Sequence, residues 1–189
     1  MRKMQYVRML VLSGLMLGVP VFAQQTGESA APQMPPMGPP PELQQLAKMA
    51  GTWDYAGEVR MGADAPWMPH TATSVNAFTC GGAIFQTEFS STMMGMEMKG
   101  LSLTAYDRET GKWQTTWSDN IAARISYFEG EFKEGKLVFS GQDKIPGGTI
   151  YSRFTYSDIT DTTHQFLMEN SADGQTWYTS MKGKYTKKQ

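Results

Sequence analysis

The chain has little of the side-chain chemistry from which most active sites are built: one cysteine and two histidines in 189 residues. The single cysteine, Cys80, excludes an internal disulfide, so the fold has to be held by its core. Cys80 lies beside Gly81-Gly82, a turn, and is expected to pack there as a small apolar residue. His70 and His164 are the only imidazoles and neither lies in a recognisable motif, which leaves no basis for a nucleophile, base and acid triad. A zinc site wants three or four His, Cys or carboxylate ligands at set spacing, and none is spelled out. A lone histidine such as His164, at the head of a strand, does not define a haem pocket. No catalytic residue, metal ligand or cofactor is assigned.

Positive charge is also scarce. The 17 basic residues are balanced by 18 acidic ones, and the only dense basic group is Lys182, Lys184, Lys187 and Lys188 at the end of the chain. A protein that binds phosphate backbones needs a basic stripe to release counterions, so nucleic acid is excluded as a partner.

Long apolar runs are missing too. The stretch from Met9 to Val19 falls short of the roughly 20 residues that span a bilayer. It follows Arg2, Lys3 and Arg8 and leads to Val21-Phe22-Ala23, the small-residue pattern of a signal-peptidase site. Residues 1–23 are therefore expected to be a cleaved signal peptide, and the protein periplasmic or secreted, with no membrane span in its mature part. No cysteine near the cut offers a lipid anchor. Residues 24–41 are rich in proline among Gln, Ser, Gly, Ala and Met, a composition too polar to offset its ordering entropy, and are expected to form a disordered tether.

What the chain does have is alternation. From Pro41, the residues Leu43, Leu46, Met49 and Ala50 recur at helical spacing behind an N-terminal proline, which predicts one short helix. After Gly51 the period changes to two: Trp53, Tyr55, Gly57, Val59 and Met61 alternate with Thr52, Asp54, Glu58 and Arg60. Nine more such segments are predicted, near 70–79, 82–92, 97–106, 112–118, 121–131, 136–142, 148–157, 163–170 and 176–187. Turn residues such as Met94-Gly95, Glu134-Gly135 and Asp173-Gly174 separate them. Hairpin spacing with no crossover helix predicts an all-β fold: a single antiparallel up-and-down barrel of about ten strands over residues 42–189.

The short helix, the Gly51-Thr52-Trp53 that follows and the chain of hairpins resemble the lipocalin or calycin group. The resemblance is closest to a bacterial family, domain of unknown function 1579, over about residues 42–188. It is carried by Gly51-Thr52-Trp53, Met93-Met94-Gly95-Met96 leading to Gly100, Tyr106-Asp107, Trp117-Ser118-Asp119 and Tyr185-Thr186-Lys187-Lys188. It implies that Trp53 closes the barrel floor and that a basic residue of the last strand, Lys187 or else Lys184, lies over it. It lends a fold and no function.

About ten strands imply a cavity unless large side chains plug it. Trp53, Tyr55, Trp113, Trp117, Arg124, Tyr127, Arg153 and Phe166 are the candidate lining residues. Arg124, amid Ile121, Ala123, Ile125 and Tyr127, and Arg153, between Tyr151 and Phe154, are each placed to meet an anionic head group, although period two lets both point outward equally well. The leading expectation is a non-enzymatic exported binder of a small apolar or amphipathic molecule. Two alternatives stand beside it. Asp119, which reads first as a turn cap accepting backbone hydrogens, is available as the carboxylate of a small enzyme. Met93, Met94, Met96 and Met98 are soft donors suited to Cu(I), with Met94, Met96 and Met98 on one strand face and Met93 on the other, although thioethers more often fill irregular apolar gaps.

Overall fold

The computed structural model describes residues 37–189; the expected signal peptide and residues 24–36 of the expected tether lie outside the described residues. The chain folds into a closed antiparallel barrel of ten strands joined neighbour to neighbour, as the alternation predicts. The strands are β1 (Gly51–Val59), β2 (Met68–Thr79), β3 (Ile84–Met93), β4 (Met96–Asp107), β5 (Lys112–Asp119), β6 (Ile125–Lys133), β7 (Lys136–Ile145), β8 (Gly148–Ser157), β9 (Thr163–Ser171) and β10 (Tyr178–Lys187). The first and last pair with each other from Trp53 opposite Lys187 to Val59 opposite Met181, which closes the ring. No helix among the described residues is long and apolar enough to cross a membrane.

The predicted helix is a 3-10 helix, Pro41–Met49. Its three buried residues, Leu43, Leu46 and Met49, fall every third position and so share one edge of a helix with three residues per turn. That edge plugs one end of the barrel, where it packs with Phe85, Trp113, Phe128, Leu137 and Phe139. The last residues of the expected tether are held against the barrel: Arg108 donates to the Gly38 carbonyl at 2.7 Å and Pro40 is buried.

Hairpin chemistry follows the sequence at both ends. The Met94–Gly95 and Glu134–Gly135 turns place both central residues at positive φ, as the type I′ turn that matches strand twist requires. Asp107 and Asp119 cap longer turns with their carboxylates. Asp107 accepts from the Glu109 and Thr110 backbone and from Thr110 Oγ1 and Gln114, and these bonds hold its carboxyl below the ordinary range. Asp119 Oδ1 accepts from the Ile121 and Ala122 N–H groups at 2.9 and 2.6 Å.

Three local expectations are corrected. The strand predicted over 121–131 begins only at Ile125, because Asp119 gathers the preceding residues into a turn. Cys80 is exposed, at positive φ in a short 3-10 turn, and does not pack inside. The methionine hairpin bends between Met94 and Gly95, so Met93 pairs directly with Met96 and shares a face with Met96 and Met98. Met94, at the turn, is the one turned away and is exposed.

Candidate functional site: the barrel cavity

Two apolar clusters leave a gap between them. One surrounds the 3-10 helix at the floor; the other is formed by Trp53, Tyr55, Ala72, Phe89 and Tyr185. Between and above them is a cavity of about 430 Å³ that runs from Leu46 and Met49 at the floor to Arg60 and Met61 at the opposite rim. Its wall is mostly aromatic and thioether: Phe85, Phe89, Trp117, Phe128, Phe139, Phe154, Tyr156, Phe166 and Tyr185, with Met93, Met98, Met168 and Met181 nearer the rim.

Polar groups interrupt that wall in two places. On β4 and β5, Thr115 Oγ1 is shared between Ser102 Oγ at 2.9 Å and Thr104 Oγ1 at 2.8 Å, so three hydroxyls form one chain facing the cavity. Two bonds use two of their three hydrogens, which leaves one donor and spare lone pairs for an occupant. On β9 and β2, Asn170 and His70 line the cavity. Asn170 accepts from Ser152 Oγ at 2.8 Å through its carbonyl. Burial pushes the His70 imidazole below its ordinary value, so at neutral pH it is an uncharged ring with one donor and one acceptor.

Of the residues proposed from the sequence, Trp117 and Phe166 line the cavity. Trp117 lies over Gly100, where any β-carbon would overlap its indole, and its Nε1 donates to Asp119 Oδ2 at 2.7 Å. The Gly100 and Trp117-Ser118-Asp119 motifs are thereby one device that lays an aromatic plate against the wall. It also leaves both oxygens of Asp119 engaged, with its carboxylate gripping a turn and a tryptophan.

Trp53 and Trp113 are buried in the structural clusters and are not among the cavity-lining residues. Trp53 is the floor residue that the family resemblance implies, with Lys187 Nζ 5.4 Å from its ring centroid. Gly51 sits at φ +115, and a side chain there would meet the Lys187 stem at 2.9 Å. The whole Gly51-Thr52-Trp53 motif thus serves closure. Tyr55 lies across the paired Gly57 and Gly183. Its hydroxyl is buried without a partner among the described residues, and desolvation raises its pKa strongly.

Arg124, Tyr127 and Arg153 do not line the cavity. Tyr127 is 47 % exposed on the outer face, because Ser126 and Phe128 take the inward positions of β6. Arg153 also points outward, between the inward Ser152 and Phe154. There it makes a two-pronged bond to Glu169, at 2.6 and 3.0 Å, and covers Trp177 at 4.4 Å. Arg124, in the turn, sits 3.7 Å from Asp143. Both arginines are neutralised by carboxylates. Arg153→Ala is expected to leave occupancy of the cavity unchanged and to lower stability by no more than about 1 kcal/mol, read from urea midpoints and probe binding on the same samples.

Sequence reasoning missed Arg60, His70 and the three-hydroxyl chain. Alternation placed Arg60 outward, but β1 ends at Val59, and beyond the strand the side chain turns to the rim. The second histidine, His164, is 1 % exposed among Trp53, Tyr156 and Tyr185. Burial pulls it down to about 4, and Nδ1 has no partner among the described residues. No group of three or more His, Cys, Asp or Glu among the described residues is placed to hold a metal ion.

A closed ten-strand up-and-down barrel, plugged at one end and holding a cavity that reaches the other, defines the lipocalin-like class. The chain belongs to the family described as protein of unknown function DUF1579, whose profile matches residues 38–187. Among solved structures it is similar to Rv2717c from M. tuberculosis, at 11 % identity and a TM-score of 0.57, covering 80 % of this chain and 99 % of that one. That likeness is one of fold. A protein with unknown function from the DUF3598 family, from Nostoc punctiforme, is 6 % identical over 77 % of this chain and 98 % of its own, with a TM-score of 0.21. A search of the curated proteins finds no match.

Proposed function

We propose that the protein is an exported binder that takes up one small, largely apolar molecule in its barrel and does not transform it. The observation that carries this reading is the cavity of about 430 Å³ with its aromatic and thioether wall, within the roughly 300–1,000 Å³ of small-molecule sites. The hydroxyl chain, Asn170 and His70 supply the few polar contacts that such sites use to orient a ligand. Binding is favoured over catalysis because Asp119, the carboxylate weighed for acid–base work, is engaged by two backbone N–H groups and the Trp117 indole.

Displacement of the fluorescent probe N-phenyl-1-naphthylamine, together with native mass spectrometry and organic extraction of the purified protein, tests the proposal. Thr87 faces the cavity from β3. Filling the space with Thr87→Trp is expected to weaken probe binding by about tenfold or more while the protein stays folded, since each lost increment of about 1.4 kcal/mol is a factor of ten. Unchanged binding in a folded Thr87→Trp variant would remove the cavity as the site. Export is proposed on residues 1–23 alone. It predicts that the intact mass of the protein recovered from periplasm or medium corresponds to a chain beginning at Gln24; recovery of the uncut chain in the cytoplasm would end that part of the proposal.

A further inference from the structure

The rim of the cavity sets a condition on the charge of whatever fills it. Arg60, the residue after β1, lines the cavity at its open end, and its position is fixed from four sides. Nε donates to the Thr179 carbonyl at 2.6 Å and Nη1 to the Ala63 carbonyl. The guanidinium carbon lies 4.7 Å from the centroid of the Trp67 ring and 5.6 Å from that of Tyr178. Carbonyls and rings hold a guanidinium in place without cancelling its charge, and no carboxylate pairs with Arg60 among the described residues. Other cations among the described residues differ in this respect: Arg124 has Asp143, Arg153 has Glu169 and Lys182, which shares the Trp67 ring with Arg60, has Glu58. Among the described residues that line the cavity, Arg60 is the one permanently charged group, and no aspartate or glutamate lines it.

A guanidinium carries five N–H donors, and the two backbone carbonyls use two of them. The Nη2 donors have no acceptor among the described residues. What remains is an immobilised, unneutralised fork at the edge of an apolar hollow, where charges interact more strongly than in water and where an oxyanion would complete a charge-assisted, two-pronged bond. Resting on the reading of the cavity as the ligand site, we infer that the occupant is a small amphipathic anion. Its carboxylate is held by Arg60 at the rim, and its apolar body extends past Phe89 and Trp117 toward Leu46 and Met49.

The test compares two probes that share an alkyl body, decanoate and 1-decanol, each displacing N-phenyl-1-naphthylamine from the full-length protein as recovered after expression, at pH 7.5. Decanoate is expected to bind about tenfold or more tightly than 1-decanol, with the advantage shrinking as salt is added. Arg60→Gln is expected to lower decanoate affinity by about ten- to a hundredfold, the range of a hydrogen bond to a charged group, and to leave 1-decanol within about twofold. Arg60→Lys, which keeps the charge and loses the fork, should fall between. If Arg60→Gln does not fold, the ratio of the two probes on the unaltered protein decides. Equal binding of decanoate and 1-decanol there, or equal losses for both in a folded Arg60→Gln, overturns the anion assignment and leaves the cavity reading standing. Failure of every probe to bind, N-phenyl-1-naphthylamine included, overturns both.

Discussion

Trp53→Ala is expected to destabilise the barrel by about 3–5 kcal/mol, the range for truncating a buried aromatic residue. That is a large share of the roughly 5–15 kcal/mol that keeps a domain folded. Trp53 is fully buried, meets His164 edge-on at 4.5 Å, and ties the plug helix to β1 by donating from Nε1 to the Met49 carbonyl at 2.8 Å. That carbonyl has a second donor, Asn76 Nδ2, also at 2.8 Å. Trp53→Phe keeps most of the ring and leaves the carbonyl one bond; Asn76→Ala does the same from the other side. The pair together strips a buried acceptor of both donors. The double variant is therefore expected to lose about 1–3 kcal/mol more than the sum of the singles, measured by urea unfolding with the slope checked for constancy. Simple additivity would mean that the shared carbonyl is not the joint between floor and wall.

The second large effect is a loss of stability in mild acid. In the folded protein His164 titrates at about 4 against an ordinary value of 6.5, because burial disfavours the charged ring. A histidine with a depressed folded value leaves the unfolded chain binding the extra proton. Its contribution is therefore complete above pH 6.5 and is lost as the pH falls from there toward 4. The shift corresponds to about 3 kcal/mol over that window. His70, depressed by the same cause, acts in the same direction. Carboxylates held below their ordinary range, such as Asp107 and Asp173, lose their contribution only at more acid pH, so the fall between 6.5 and 4 belongs mainly to the histidines. His164→Phe retains an aromatic ring against Tyr185, which His164 stacks on at 4.6 Å, and is expected to flatten the pH profile by most of that amount. Urea midpoints from pH 7.5 to 4 on both proteins decide the matter: a profile as steep in His164→Phe as in the parent would place the acid sensitivity elsewhere.

The architecture was legible because β1 and the turns are unambiguous. Trp53 and Tyr55 against Asp54 and Glu58 leave no doubt which face of β1 is inside, and the paired turn residues mark the hairpins. The site was less legible, for a physical reason. Alternation gives a period, and its phase can be read only where the two faces differ in polarity. On β6, Tyr127 and Phe128 put aromatics on both faces; on β8, Tyr151 and Phe154 do the same, so alternation offers no contrast that tells whether Tyr127 and Arg153 face inward or outward. Arg124 was placed on a strand because nothing local signals that Asp119 reaches forward to fold Ile121 and Ala122 into a turn. Arg60 was lost by the opposite error, carrying the alternation past the last residue of β1. The position of Lys187 over Trp53 followed from the family resemblance; the alternation alone did not give it.

Closure through β1 and β10 also dictates when the protein can finish folding. The seam joins the first and last strands of the barrel, so a nascent chain can assemble nine strands in order and still be an open horseshoe. Two bare ladders of N–H and C=O groups then face outward, with the slow search that distant pairings impose still ahead. Only when β10 is free to pair with β1 does the gap zip shut. A chain cut short before Tyr178 would keep nearly all of its apolar wall and yet remain a sticky, half-rolled sheet, which makes the ten residues of β10, Tyr178–Lys187, the latch of the barrel.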